Sequence, residues 1–233
     1  MNTFVKISVI VLIAAGIILL SFPAPWFPSF YDVRYMGLTG IAAALIILFV
    51  PRLIMPKREE EDYERKMRAA NLSQIFLAFA FICDAAGNLG LYKLYPYGFE
   101  FDKILHFFIP FAGVVILSLV LSWRWGIRKS YAILMALGII AACGAIWEIF
   151  ELSSDVLLKT HISGFYGMNA NSDTIFDVLF DIIGSVTGAV GSIYLWKYFT
   201  GETNVKKSEV ISGLAVLFVL FSVIGFYAAY MKM

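Results

Sequence analysis

The sequence is short of the residues that carry most solution chemistry. Only 15% of its 233 residues are Asp, Glu, Lys or Arg, where a soluble globular domain carries about 25%. Cysteine occurs twice, as Cys83 and Cys143, each in apolar surroundings; both read as small packing residues rather than as a disulfide. No basic patch rises to a nucleic-acid signal, so no nucleic-acid partner is expected. A nucleophilic Ser or Cys motif is missing, and so is an arginine cluster of the kind that grips phosphate. The formal net charge of +1 says nothing about partners, because the charges are segregated along the chain.

What is abundant is apolar sequence. The chain is 61% hydrophobic, and most of this lies in long runs without alternation or 3.6-residue spacing, the signature of helices in lipid. A span needs about 20 such residues to cross roughly 30 Å of hydrocarbon. Seven stretches qualify: about 4–22, 34–54, 71–93, 102–123, 129–158, 173–198 and 208–230. The expected fold class is all-α, a polytopic integral membrane helical bundle of about seven transmembrane helices forming a single transmembrane domain over 1–233. The first span resembles a signal peptide but lacks a small-x-small site before "SFPAPWFP", so it reads as a retained helix. Pro51 and Pro56 close the second span, and Trp26, Trp123, Trp125 and Trp196 sit near predicted ends, as interfacial aromatics do. The mixed-sign segment "PKREEEDYERKMR" reads as a helical, solvated connector.

Lys and Arg set the expected orientation. Lys6, six residues between Arg52 and Arg68, Arg124, Arg128, Lys129, Lys197, Lys206 and Lys207 fall on one side. Arg34, Lys93, Lys103, Lys159 and Lys232 fall on the other. The richer side is expected to be cytoplasmic, with the N-terminus inside and the C-terminus outside the plasma membrane.

Against this apolar background the ionisable residues form a pattern. Asp84 and Asn88 end the third span and Asp102 and His106 open the fourth, each pair at i,i+4. Glu148, Glu151 and Asp155 lie toward the end of the fifth, and Asp173, Asp177 and Asp181 open the sixth at i, i+4, i+8. Each set occupies one helix face, and all fall toward the extracytoplasmic side. Eight residues of helix advance about 12 Å, so Asp181 lies near the mid-plane if Asp173 is at the interface. An acid at that depth costs about 2.5–3.5 kcal/mol on insertion scales. Such residues avoid lipid, and the simplest arrangement points the four stripes at one another. Two residues also suit local roles: Asp173, after Ser172, as a helix N-cap, and Asp102 as another cap or a partner of His106 one turn on.

Eight carboxylates then face one imidazole, His106, and one ammonium, Lys103, placed at the rim. Either some acids are protonated or a metal ion supplies the missing charge, and the second reading is favoured. The expected ligands are Asp102, His106, Glu148, Glu151, Asp173, Asp177 and Asp181, supported by Asp84, Asn88, Lys103 and Asp155. Oxygen-rich ligation with one imidazole suits a divalent Mg²⁺, Mn²⁺, Ca²⁺ or non-haem iron better than a thiolate-type zinc site. His161 reads as a surface residue. Pro110, four residues after His106, leaves the His106 carbonyl without its intrahelical partner. The loop 160–172 joins the two acidic helices and suits a connector or lid. Gly184, Gly188 and Gly191 stand at helix-packing spacing.

The motifs "DKILHF" (102–107), "EIFE" (148–151) and "SDTIFDVLFDIIGSVTGA" (172–189) resemble the YjdF-like inner-membrane proteins and, more distantly, the VanZ-like proteins. The resemblance covers a motif-bearing core of about 102–191 and falls on Asp102, Lys103, His106, Glu148, Glu151, Asp173, Asp177 and Asp181. VanZ-like proteins are associated with resistance to lipid-tailed glycopeptides and with the cell envelope. They often carry Gln at the second acidic-helix position, here Glu151, and an Arg in the following loop, absent from 156–172. The resemblance implies membrane placement and site residues rather than a reaction type.

Three functions remain open at this level. A metal-dependent hydrolase or transferase would act on a lipid-linked or envelope substrate, with Glu148 or Glu151 as base and His106 as acid or ligand. A cation- or proton-coupled transporter would need polar residues in the cytoplasmic leaflet, where few occur (Ser8, Thr39, Ser118, Ser122). A non-catalytic lipid-binding envelope protein would use the metal as a staple. Membrane lipid is the expected partner in all three.

Overall fold

A computed structural model describes residues 2–23, 33–89, 91–92, 100–158 and 170–200. The seventh expected span, Trp26, His161 and most of the 160–172 loop lie outside the described residues. Within them the protein is all-α and polytopic: α1 (Thr3–Ser21), α2 (Val33–Phe49), α3 (Tyr63–Asn88), α4 (Phe101–Trp125), α5 (Lys129–Leu158) and α6 (Ala170–Thr200). Six helical segments, the second running on from α2 to Ile54, are long and apolar enough to cross a membrane, and no strand occurs among the described residues.

Local chemistry sets the helix ends. The Asn2 side chain caps α1 by accepting from the Phe4 N–H at 2.8 Å. α2 gives way to a short 3₁₀ turn, Val50–Ile54, where Pro51 lacks an N–H to continue the ladder. The expected helical connector divides: residues 58–62 are turns, and α3 begins at Tyr63, well before the apolar run. Glu64, Arg65, Lys66, Met67 and Ala69 are good helix formers, so an apolar-length criterion starts this helix too late. Asp62, in the left-handed conformation that Asp tolerates, precedes it. Gly126, also left-handed, ends α4; its N–H reaches back to the Ser122 carbonyl at 2.9 Å.

The chain divides into two compact units. The first takes its described residues from Met1–Leu91 and Ile116–Ala136. Its core joins Val5, Val9 and Leu12 of α1 to Ala43, Ala44 and Ile47 of α2 and Ala78 of α3. The Gln74 side-chain amide donates to the Ile47 carbonyl at 3.3 Å and ties α3 to α2. The second unit draws on Tyr92–Val115 and Leu137–Met233, so it holds the start of α4, most of α5 and α6. α4 is the most enclosed helix, with 61% of its apolar window buried against 11% for α5. The outward faces carry large apolar side chains such as Ile146, Ile149, Ile175 and Ile193, as lipid contact requires.

Candidate functional site

The second unit assembles its polar residues through a close helix crossing. Gly184 of α6 lies against the Phe107 carbonyl of α4, and Gly188 against the Phe111 carbonyl. A Cβ at either glycine would meet backbone, so only a residue without a side chain allows this approach. The register is parallel, and one turn earlier it brings His106 to Asp181 and Lys103 to Asp177. α5 enters through Gly144, where a Cβ would strike the Asp181 carboxylate. Glu148 follows one turn later on the same face of α5.

The cluster has two halves. In the first, Lys103 is 6% exposed. Its ammonium donates to Asp102 Oδ2 at 3.0 Å, to Asp173 Oδ1 at 2.6 Å and to Asp177 Oδ1. In the second, His106 Nδ1 lies 3.1 Å from Asp181 Oδ1. Nδ1 donates to this oxygen in the tautomer that carries the ring proton there, and accepts from a protonated carboxyl in the other. His106 Nε2 faces three carboxylate oxygens beyond hydrogen-bond reach: Asp102 Oδ1 at 3.6 Å, Glu148 Oε1 at 3.7 Å and Asp177 Oδ1 at 3.7 Å. Both oxygens of Glu148 and Oδ2 of Asp181 are buried without a hydrogen-bond partner among the described residues. Glu148 is 2% exposed and Asp181 4%. The Ser185 hydroxyl, one turn beyond Asp181, is likewise buried and unpartnered among the described residues.

Among the described residues there are two sets of three donors, each set within 4.8 Å: Asp102, His106 and Asp177, and His106, Glu148 and Asp181. The two sets are not equivalent, because the Lys103 ammonium already touches two of the acids in the first.

The placement of the expected residues is therefore uneven. Asp102, Lys103, His106, Glu148, Asp173, Asp177 and Asp181 come together. Glu151 does not belong to either donor set; its Oε1 accepts from the Trp147 indole N–H at 2.9 Å on its own helix. Asp155 is half-buried farther along α5. Asp84 and Asn88 belong to the first unit, where the Asn88 amide donates to the Asp84 carbonyl at 3.1 Å within α3.

Three expectations are corrected. Lys103 is not a rim residue but the buried hub of three carboxylates. Asp173 is not an N-cap: α6 begins at Ala170, so Asp173 sits inside the first turn and binds Lys103. Asp102 is not a cap either, since it lies within α4 and reaches Lys103.

Sequence reasoning passed over Gly144, and its signal was available: Gly144 stands one turn before Glu148, where a Cβ would fill the space of a facing acid. The signal for Lys103 was its place three residues before His106, on the same helix face.

Residues 6–198 match a family described as "Predicted membrane protein (DUF2238)", and the chain belongs to that family. No curated protein and no solved structure matches it.

Proposed function

We propose that this multi-pass membrane protein binds a divalent cation between His106, Glu148 and Asp181. The observation that carries the reading is the set of buried oxygens without a hydrogen-bond partner among the described residues, both of Glu148 and one of Asp181, beside an imidazole. Buried polar groups in native proteins are satisfied by protein, water or an ion. Around the cluster five acids, Asp102, Asp173, Asp177, Asp181 and Glu148, stand against two basic groups, Lys103 and His106. With those acids ionised, a divalent ion answers both the open oxygens and the charge. Gly144 supports the same reading, since it clears the volume around Asp181.

Three protein donors leave coordination positions open, as in catalytic rather than structural metal sites. A bound ion would supply Lewis acidity for hydrolysis or group transfer. Asp181 orients the imidazole, and Glu148 is the candidate base. The apolar, outward-facing Ile146, Trp147, Ile149 and Phe150 flank Glu148 on α5, which favours a lipid-linked substrate arriving from the bilayer. The order of the D-K-x-x-H, E-x-x-E and D-x-x-x-D-x-x-x-D motifs supports kinship with the YjdF-like and, more distantly, VanZ-like envelope proteins. The Lys and Arg bias supports an orientation with residues 57–68 in the cytoplasm and the cluster toward the outside.

Elemental analysis of the purified protein tests the cation. Wild type is expected to retain a divalent metal that Glu148→Gln and Asp181→Asn lose. Wild type without metal, and indifferent in thermal stability to both chelator and Mn²⁺, overturns the reading. Orientation is tested separately with an impermeant thiol reagent and single cysteines in a Cys83/Cys143-free background; labelling of 57–68 in intact cells overturns it.

A further inference from the structure

We propose that the Ser185 hydroxyl is a fourth protein donor to the cation held by His106, Glu148 and Asp181, and that it biases the site toward hard, six-coordinate ions such as Mn²⁺ and Mg²⁺. The inference rests on the cation reading of that set and names its class of ion.

Ser185 does not behave as its neighbours do. A hydroxyl on a helix in lipid ordinarily donates to the carbonyl four residues back, because the bilayer offers it nothing else. In the second unit Ser154, Thr187 and Ser192 do so, at 2.8, 2.7 and 2.8 Å. Ser185 is fully buried, and its Oγ has no hydrogen bond among the described residues, not even to the Asp181 carbonyl. A buried hydroxyl left unsatisfied is costly.

Its position is set by three helices. Ser185 follows Asp181 by one turn on the same face of α6. Helical side chains lean toward the N-terminus, which lays this hydroxyl over the turn that begins at Asp181. Gly184, beside it, brings that turn against the Phe107 carbonyl of α4, next in the chain to His106. Gly144 of α5 clears room at Asp181 Oδ2, an oxygen that also has no hydrogen bond among the described residues. The unmatched hydroxyl therefore extends, by one turn, the row of unmatched oxygens of Glu148 and Asp181.

A hydroxyl suits that place chemically. It is a neutral, hard oxygen donor, the kind that phosphate-binding loops use to hold Mg²⁺. Coordinated through a lone pair, it keeps a proton to donate to a carboxylate such as Asp181. Three protein donors and one water complete a zinc ion. A fourth protein oxygen belongs with the higher coordination number of Mn²⁺ and Mg²⁺.

The test compares Mn²⁺ and Zn²⁺ affinities of purified wild type, Ser185→Ala and Thr174→Val in detergent. Thr174 is the control: its hydroxyl is also buried and unpartnered among the described residues, but it precedes Asp181 by seven residues, about 10 Å of helix. Ser185→Ala is expected to weaken Mn²⁺ binding by about tenfold or more, on the scale that even outer partners of metal ligands reach, and to weaken Zn²⁺ binding less. In chelator it should melt no lower than wild type, since it removes an unsatisfied hydroxyl; a serine with a merely structural role would melt lower. Thr174→Val should bind Mn²⁺ as wild type does. Ser185→Cys, in a Cys83/Cys143-free background, should exchange Mn²⁺ for Cd²⁺ and show a sulfur-to-cadmium charge-transfer band; it also carries the test should Ser185→Ala fail to fold. Wild-type Mn²⁺ affinity in a folded Ser185→Ala, an equal loss in Thr174→Val, or a folded Ser185→Cys that binds Cd²⁺ without the band overturns the proposal and leaves the three-donor reading standing. A wild type that binds no divalent ion overturns both.

Discussion

Two ionic networks in this protein look alike as residue inventories and differ in how they close. In the first unit, Glu60 accepts from the Lys57 N–H at 2.8 Å, from Lys66 at 3.1 Å and from Arg124 at 2.7 Å. One carboxylate meets two cations and a backbone donor, and the connector before α3 is thereby fastened to the end of α4. In the second unit five carboxylates meet one ammonium and one imidazole, and three buried carboxylate oxygens have no hydrogen bond among the described residues. A complete network at the surface explains itself as structure. One left incomplete among the described residues, in helices that cross a membrane where an uncompensated charge is costly, is what the proposed cation would complete.

The sharpest way to break that comparison is to take away the one strong cation of the buried network. Removing one partner of a buried ion pair typically costs about 3–5 kcal/mol, because the other charge stays behind unpaired. Lys103→Gln, melted in chelator, is expected to lose stability on that scale, and Mn²⁺ should restore part of it. Arg124→Gln in the Glu60 network should lose far less. Equal losses would erase the distinction between the two networks.

Next in size is the response to metal alone. A ligand at a hundredfold excess over its Kd stabilises the form that binds it by about 2.7 kcal/mol. Chelation should lower the Tm of wild type in detergent, and Mn²⁺ or Mg²⁺ should raise it. Glu148→Gln and Asp181→Asn should flatten that response. Glu151→Gln should leave it intact, because the Glu151 carboxylate is held by Trp147. A flat wild-type response alongside a higher-melting Asp181→Asn would mean that the acids are protonated rather than metal-bound.

The glycines give a third, smaller test. Overpacking a close contact costs about 1–3 kcal/mol. Gly184→Ala drives a methyl into the Phe107 backbone, whereas Gly144→Ala meets the movable carboxylate of Asp181. Gly184→Ala should therefore lower Tm more, while Gly144→Ala should cost more of the metal response than of the Tm. The reverse order would mean that α5, rather than α6, fixes the cluster.

These contrasts also mark what the sequence could show. The six described spans were legible because length and apolarity are summed over a whole helix. The i,i+4 spacings of Asp102/His106 and of Asp173/Asp177/Asp181 were legible because helical periodicity fixes which residues share a face. Which faces meet was not. That is decided by Gly184 and Gly188 against the carbonyls of α4, contacts between residues more than 70 positions apart. For the same reason Lys103, assigned to the rim by its distance from the helix end, proved to be the hub. Its long stem carries the ammonium away from its own backbone position and onto α6. Glu151, equal to Glu148 by spacing, stands outside both donor sets and accepts from the Trp147 indole on its own helix. A three-residue step turns a helix by about 300°, so i,i+3 neighbours need not present the same atoms to one point.

The smallest expected effect lies in the complete network and concerns pH. Glu60 has a carboxyl pKa held below its usual value of 4.5, first by the hydrogen bond from the Lys57 backbone N–H, then by that from Lys66, with the charges of Arg124 and Lys66 assisting. A carboxyl whose pKa is lower folded than unfolded contributes stability that is fully present above the unfolded value. That contribution is lost as pH falls through the folded value, because the unfolded chain takes up its proton first. Glu60→Gln should thus lower Tm slightly at pH 7, and the gap from wild type should shrink as pH drops from about 5 toward 3, near the unperturbed range of Glu. Salt should shrink the gap too, since the pairs are open to water and surface ion pairs are screened. The Lys57 N–H bond is the part that salt does not remove, so a residual gap should survive in high salt at pH 7 and disappear only in acid. A gap that widens in acid would mean that the folded form holds the Glu60 proton more tightly than the unfolded chain, the opposite of what a carboxylate ringed by donors does.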